Sequence, residues 1–277
     1  MKYAALLAIP LALAFATSAQ AQQSTPGAPP PAAVQASSST PADTAPLTPL
    51  QSAELRGDVL VARKEFSAAI TAYEQALGGA ATNATVLNKI GVAYQQLGDL
   101  SRSGRYYKKA TKADKNFASP INNLGTVEYE KKHYGKAINL YRRAVVLKVD
   151  LSTIYSNLGY AYFANKEYPE ATESFGKALA LDPTVFEHRG GFGSIIQQRS
   201  SPDQALLHFY LAKSFASAAD VERTAHYLKL ARDEGYANVR SAETDPAFAK
   251  VIKDPRIQEV LQFAAPYVDD AKKSTPR

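Results

Sequence analysis

The chain has 277 residues, a formal net charge of +6 and no cysteine, so it has neither a disulfide framework nor a thiol nucleophile. Hydrophobic residues make up 45% and charged residues 21%, which is too apolar for a disordered chain and enough for a long packed core. Glycine is scarce, at 15 residues, so any regular placing of it carries information.

The first element is not part of a fold. Met1-Lys2 precedes an Ala- and Leu-rich run from Tyr3 to Ala16, then Ala19-Gln20-Ala21 before Gln22. A basic start, a short apolar run and a small-x-small site predict a secretory signal peptide over 1–21, cleaved after Ala21 to leave a periplasmic or secreted chain. The run is shorter than the ~20 apolar residues of a membrane span. No cysteine follows the site, so a lipoprotein anchor is not expected. Residues 22–49 scatter Pro26, Pro29, Pro30, Pro31, Pro41, Pro46 and Pro49 among Ala, Ser and Thr, with Asp43 as the one charge. Such a stretch buries too little apolar surface to offset its ordering entropy and reads as a disordered tether.

From residue 50 the chain repeats. Gly57, Gly91, Gly125, Gly159 and Gly193 stand 34 residues apart. Tyr73, Tyr107, Tyr141, Phe175 and Phe209 keep the same step, as do Ala76, Ala110, Ala144, Ala178 and Ala212, and the small series Ala69, Ser103, Ala137, Ala171 and Ala205. A fixed period of this length marks stacked supersecondary units, none of which can bury its apolar face alone. In unit three, Ile121, Leu124, Gly125 and Glu128 share one helical stripe and Ala137, Tyr141 and Ala144 a second, with Lys131-Lys132-His133-Tyr134 as a polar break. Each unit therefore reads as two helices. The small columns mark crossings where the axes approach to about 8–9 Å, and the aromatic column fills the space beside them.

A 34-residue helix–turn–helix with this pattern resembles the tetratricopeptide repeat. The match is fullest in unit four, from Tyr155-Ser156-Asn157-Leu158-Gly159-Tyr160-Ala161-Tyr162 through Ala171 to Leu181-Asp182-Pro183. The family's tryptophan column holds Ala53, Leu87, Ile121 and Tyr155 instead, and Arg56 precedes Gly57 where an apolar residue is usual. The resemblance implies an all-α fold, a right-handed α-solenoid of helix hairpins at 50–83, 84–117, 118–151, 152–185 and 186–219. A degenerate, overlapping sixth unit runs to 235, because the helix from Pro202 to about Ala219 serves twice. Its Leu211, Ala212 and Phe215 also suit a first helix, with Thr224, Leu228 and Ala231 on the next helix and Gly235 ending it. Asp245-Pro246 and Asp254-Pro255 then read as two helix starts, Asp as N-cap and Pro at N1, in a helical C-terminal cap over 236–268. Residues 269–277 are expected to form a disordered tail.

Nothing in the array is arranged for chemistry. His133, His188, His208 and His226 make no metal-binding spacing, and Gly191-Phe192-Gly193 lacks the third glycine and the preceding strand of a nucleotide fingerprint. No catalysis, cofactor or metal is expected.

The resemblance places the first helices along a concave groove. There it puts Asn88, Gln95 and Gln96 of unit two, Asn122, Asn123, Thr126, Tyr129 and Glu130 of unit three, and Ser156, Asn157, Tyr160 and Phe163 of unit four. Carboxamides donate and accept, so Asn123 and Asn157, one column in adjacent units, could bond an extended backbone. Tyr160 is expected to project into the groove as an anchor. The family's carboxylate clamp needs basic residues that Asn122, Ser156 and Thr126 do not supply, so an acidic C-terminus is not the expected ligand. The second helices carry a basic belt, Arg105, Lys108, Lys109 and Lys112 in unit two and Arg142 and Arg143 in unit three. It reads either as a solvated convex face or as a site for anionic lipid or polysaccharide. Two functions follow: a non-catalytic scaffold of the bacterial envelope holding a peptide or partner helix, or an envelope-polymer adaptor. Nucleic acid is not an expected partner.

Overall fold

The computed structural model describes residues 47–79, 82–147, 152–187 and 204–264. The expected signal peptide, almost all of the tether, Gly190–Gly193 and the C-terminal tail lie outside the described residues. Among those described there are eleven α-helices and no strand. The helices are α1 (Pro49–Ala62), α2 (Phe66–Leu77), α3 (Ala84–Gln96), α4 (Leu100–Ala113), α5 (Ala118–Glu130), α6 (Tyr134–Leu147), α7 (Ser152–Ala164), α8 (Tyr168–Leu181), α9 (Gln204–Ser217), α10 (Val221–Asp233) and α11 (Pro255–Gln262). Each odd-numbered helix from α1 to α9 packs on the next as a hairpin, and each even-numbered helix packs on the hairpin that follows. The core runs as a series of buried clusters along this stack.

The helix starts are local. Thr48 closes a capping box with Gln51 and Pro49 takes N1, so α1 begins one residue before the expected boundary. Asn83, Asp99 and Asp220 accept from the backbone N–H three residues on, in α3, α4 and α10. The turns keep the 34-residue step through the first four hairpins and recur, out of step, in α9–α10. Lys64, Gly98, Lys132, Lys166 and Ala219 adopt φ of 61°, 78°, 62°, 65° and 60°. Each N–H returns to a carbonyl three residues back, and the next N–H to one five residues back, as in Lys132→Tyr129 and His133→Glu128. Four of these five left-handed positions carry a Cβ at a cost of about 1–2 kcal/mol, against less than that gained from a stiffer unfolded chain. Lys132→Gly and Ala219→Gly are each expected to stabilise the fold by about 0.5 kcal/mol in urea denaturation; a loss of similar size means the turn relaxes without glycine.

The glycine column has a single cause. A Cβ built on Gly91, Gly125 or Gly159 falls 2.5–2.7 Å from the nearest ring carbon of Tyr107, Tyr141 or Phe175, and at Gly57 the ring of Tyr73 is closer still. The aromatic ring of the second helix lies flat on bare backbone of the first, and Tyr107, Tyr141 and Phe175 are fully buried there. Hairpin α9–α10 solves the same packing differently. Ala212 and Leu228, both fully buried and sixteen residues apart like Gly159 and Phe175, take the two places. Position 212 thus belongs to a first helix, and Phe209 packs on the terminal layer with Tyr236 and Phe248.

That layer closes the stack. Asp245 and Asp254 accept from the N–H groups of Ala247 and Arg256, with Pro246 and Pro255 at N1. The first start opens a 3₁₀ turn, Pro246–Phe248, and the second opens α11; another 3₁₀ turn spans Val239–Glu243. Phe248, Val251, Ile257, Val260 and Leu261 bury themselves against Leu228 and Ala231.

Candidate functional site

The first helices α1, α3, α5 and α7 line a cleft of about 420 Å³. Its walls are Val61, Val92 and Ile154, and its polar groups come from Asn88, Asn122, Asn123, Ser119, Thr153, Lys89, Asp58 and Tyr73. This mixture of apolar wall and a few convergent polar groups is that of a binding cleft.

The carboxamides form a directed ladder. Asn157 Nδ2 donates to Asn122 Oδ1 (3.1 Å), Asn122 Nδ2 to Asn123 Oδ1 (3.3 Å) and Asn123 Nδ2 to Asn88 Oδ1 (3.1 Å). The expected row of independent groups is therefore corrected in part. Asn157 is 1% exposed and Asn122 6%, and their amides serve each other across α5 and α7. Asn88 and Asn123 are half-buried, and the Nδ2 of Asn88 donates to no other described residue at the open end of the ladder.

Tyr160 and Phe163 also depart from expectation. Both are buried, and Tyr160, 7% exposed, packs edge-on against Phe175 at 5.2 Å. The reason lies in the aromatic column. Tyr73 Oη donates to Asp58 Oδ1 (2.8 Å) and Tyr141 Oη to Thr126 Oγ1 (3.1 Å), so the tyrosines reach past the glycines to the groove floor. Phe175 has no hydroxyl, and at the place of Asp58 and Thr126 unit four carries Tyr160, whose ring fills the space. Thr126 is itself buried under this bond. Tyr107 Oη donates to Gln95 Oε1 (2.7 Å), and Gln95 Nε2 to Glu130 Oε1 (3.0 Å). Tyr129 is half-buried beside Tyr134, ring centroids 5.3 Å apart, and burial pushes its phenol up to about 12.

Sequence reasoning passed over Lys89. Its ammonium lies in the cleft, bridged by Glu54 Oε1 (2.7 Å) and Asp58 Oδ2 (2.8 Å) of α1. Partial burial opposes its charge, but the two carboxylates outweigh that and raise its pKa above the ordinary lysine value. A basic group is thus present in the cleft, already paired with two carboxylates. The cue was available, since Glu54 and Asp58 stand 35 and 31 residues before Lys89.

On the second helices Arg105, Lys108, Lys109, Lys112, Arg142 and Arg143 are all exposed. None has a carboxylate within ion-pair distance among the described residues, while Lys109 lies over the Tyr106 ring at 4.7 Å. The histidines are occupied locally: His133 Nδ1 meets Glu128 (2.8 Å) and His208 Nδ1 meets Glu234 (2.7 Å).

Comparison with known proteins follows the same units. Family profiles described as tetratricopeptide repeat match residues 84–117 and 152–185, and one described as TPR repeat matches 57–98 and 125–166. No curated protein sequence matches. Among solved structures, Pseudomonas aeruginosa PilF is 20% identical with a TM-score of 0.51, over 77% of this chain and 87% of its own. MamA is 20% identical with a TM-score of 0.47, over 68% and 96%. YrrB, a TPR protein with an unusual peptide-binding site, is 18% identical with a TM-score of 0.46, over 70% and 91%. At these identities the likeness is one of fold. The glycine seated under an aromatic ring recurs in four successive hairpins along these matches, and the chain carries tetratricopeptide repeats over residues 57–117 and 125–185.

Proposed function

We propose that the protein is a non-catalytic scaffold of the bacterial envelope that holds an extended segment of another protein along its first helices. The observation that carries this reading is the cleft beside the asparagine ladder, where Asn88 and Asn123 face apolar walls with amide capacity left over. Export rests on the basic start, apolar run and Ala19-Gln20-Ala21 of the N-terminus. A second reading is favoured by the belt. Six exposed cations without carboxylate partners among the described residues would attract an anionic lipid or polysaccharide, and that attraction is screened by salt.

One experiment tests both. The tagged chain is recovered from the envelope fraction, where its N-terminus is expected at Gln22, and its bound proteins are compared at low and high salt. Asn88→Ala with Asn123→Ala, both half-buried and therefore compatible with folding, is expected to reduce partner retention at least tenfold, about 1.4 kcal/mol or more. Reversal of Lys108, Lys109 and Lys112 to Glu is expected to leave it unchanged. The opposite pattern, with retention lost on charge reversal and at high salt, replaces the groove by the belt. A chain retained in the cytosol with Met1 intact removes the envelope from the proposal.

A further inference from the structure

The exposed faces of α4 and α6 carry one sign of charge. Neither helix contains an aspartate or a glutamate. Arg105, Lys108, Lys109 and Lys112 follow one another at helical spacing along α4, and Arg142 and Arg143 take the places of Lys108 and Lys109 one unit later in α6. The stripe stops on both sides. Those two places hold Glu74 and Gln75 in α2 and Gly176 and Lys177 in α8, where Glu170 and Glu173 are exposed. Counted at 3.6 residues per turn, Lys109, Lys112, Arg143 and Val146 lie about 140–160° round their helices from Tyr107 or Tyr141, whose rings point to the first helices. The stripe therefore faces away from those helices, and none of its residues lines the asparagine cleft. At the C-terminal turn of α6 it changes character. Val146 stands where α4 has Lys112 and is 80% exposed, more than any other large hydrophobic side chain among the described residues. Leu147 beside it is exposed, as is Leu181, its counterpart at the end of α8.

We propose that this stripe seats the protein on the surface of an anionic phospholipid bilayer, with Val146 and Leu147 entering the head-group layer. This deepens the belt reading and rests on it. Two features select that occupant. The six cations share one side of the molecule with no carboxylate within ion-pair distance among the described residues, so a negative surface within a Debye length attracts them together. A soluble polyanion would satisfy the cations equally but leave Val146 and Leu147 in water. The boundary between head groups and acyl chains takes both, because apolar side chains enter it while the stems of Lys and Arg lie along it with their charges outward. Seated in this way, the protein turns its asparagine cleft away from the lipid. The groove and the belt then act from opposite faces of one molecule, the first holding a segment and the second holding the surface.

The test is sedimentation of the chain, as recovered from cells, with vesicles of phosphatidylcholine alone or with about one-third phosphatidylglycerol, and its binding to dextran sulfate as a soluble polyanion. At low salt the anionic vesicles are expected to bind at least about tenfold more tightly than the neutral ones, and the combined Lys108→Glu, Lys109→Glu and Lys112→Glu variant to lose that difference. Val146→Asn, at a site open enough to leave folding intact, is expected to weaken binding to anionic vesicles about threefold or more and to leave dextran sulfate binding unchanged. Arg142→Glu with Arg143→Glu gives the same reading as the lysine variant if that one melts early by circular dichroism. Equal binding to both kinds of vesicle overturns the proposal, since the belt then does nothing at a lipid surface. Indifference of the anionic vesicles to Val146→Asn also overturns the bilayer assignment; dextran sulfate binding that the lysine variant loses then leaves the belt standing as a polymer site. Binding to neither vesicles nor dextran sulfate overturns the bilayer assignment and the belt reading together.

Discussion

Gly159→Ala is expected to destabilise the protein by about 1–3 kcal/mol, although alanine is intrinsically the better helix former by about 1 kcal/mol. The new Cβ falls 2.5 Å from two ring carbons of Phe175. That ring cannot withdraw, because it is fully buried against Tyr160 and Phe186, with centroids at 5.2 and 5.4 Å. The chain itself supplies the compensating change, since Ala212 sits opposite Leu228 in α9–α10. Phe175→Leu alone opens a cavity and should cost about 1–2 kcal/mol. The double variant should nonetheless be more stable than the sum of the two losses by about 1 kcal/mol or more, measured as a double-mutant cycle in urea. A strictly additive cycle means that the ring slides away and that something other than the aromatic ring requires glycine. Gly57→Ala should cost less than Gly159→Ala, because only one neighbouring hairpin restrains the Tyr73 ring at the end of the array.

The parts of the fold that were legible in the sequence are those set by steric exclusion. A ring lying on bare backbone admits only glycine, so the Gly57-to-Gly159 column declares itself with no knowledge of the rest. The left-handed turn column was not legible, because Lys64, Lys132 and Lys166 fill places where a glycine signal was available only at Gly98. The helix starts at Asp245 and Asp254 were legible, being three-residue events, but the length of helix that follows is decided by packing.

The groove was misread for a geometric reason. Sequence columns repeat every 34 residues, but neighbouring first helices touch with an offset of 35. Asn88–Asn123, Asn122–Asn157, Glu54–Lys89 and Gln95–Glu130 are all bonded at that separation. A column such as Asn123 and Asn157 therefore looks like a row of free groups, when each is hydrogen-bonded along the diagonal. The same shift hid the Lys89 bridge. Tyr160 misled for a second reason. Its ring fills the space that the hydroxyls of Tyr73 and Tyr141 reach in units one and three, and Phe175 has none. Tyr160 is packed here by a partner fifteen positions away, which no helical wheel of α7 contains.

The tyrosines also set the response of the fold to alkali. Burial raises the phenols of Tyr107, Tyr141 and Tyr160 well above the usual tyrosine value, and at Tyr141 the hydrogen bond with Thr126 works against it. Tyr106 is pushed up to about 12 by burial and by Glu74. A folded-state pKa above the unfolded value of about 10 gives stability that is complete below pH 10 and is lost as pH rises toward the folded value. Lys89, raised by its two carboxylates against the opposing effect of burial, acts in the same direction over the same window. Three fully buried phenols lose about 4 kcal/mol per pH unit above 10, and a domain stabilised by about 5–15 kcal/mol has little margin against that slope. Stability should therefore be level up to about pH 9.5 and collapse between about pH 11 and 12. The chain has 16 tyrosines and no tryptophan, so tyrosinate absorbance can be followed without interference. It should rise in two stages, a shallow one for the exposed rings and a steep one coincident with the loss of helical circular dichroism. Tyr141→Phe should move the steep stage to higher pH while costing about 1 kcal/mol at neutral pH through the lost bond to Thr126. A single smooth titration near pH 10 with the helices intact would show that water reaches these rings and that the seam beneath the glycine column is not closed.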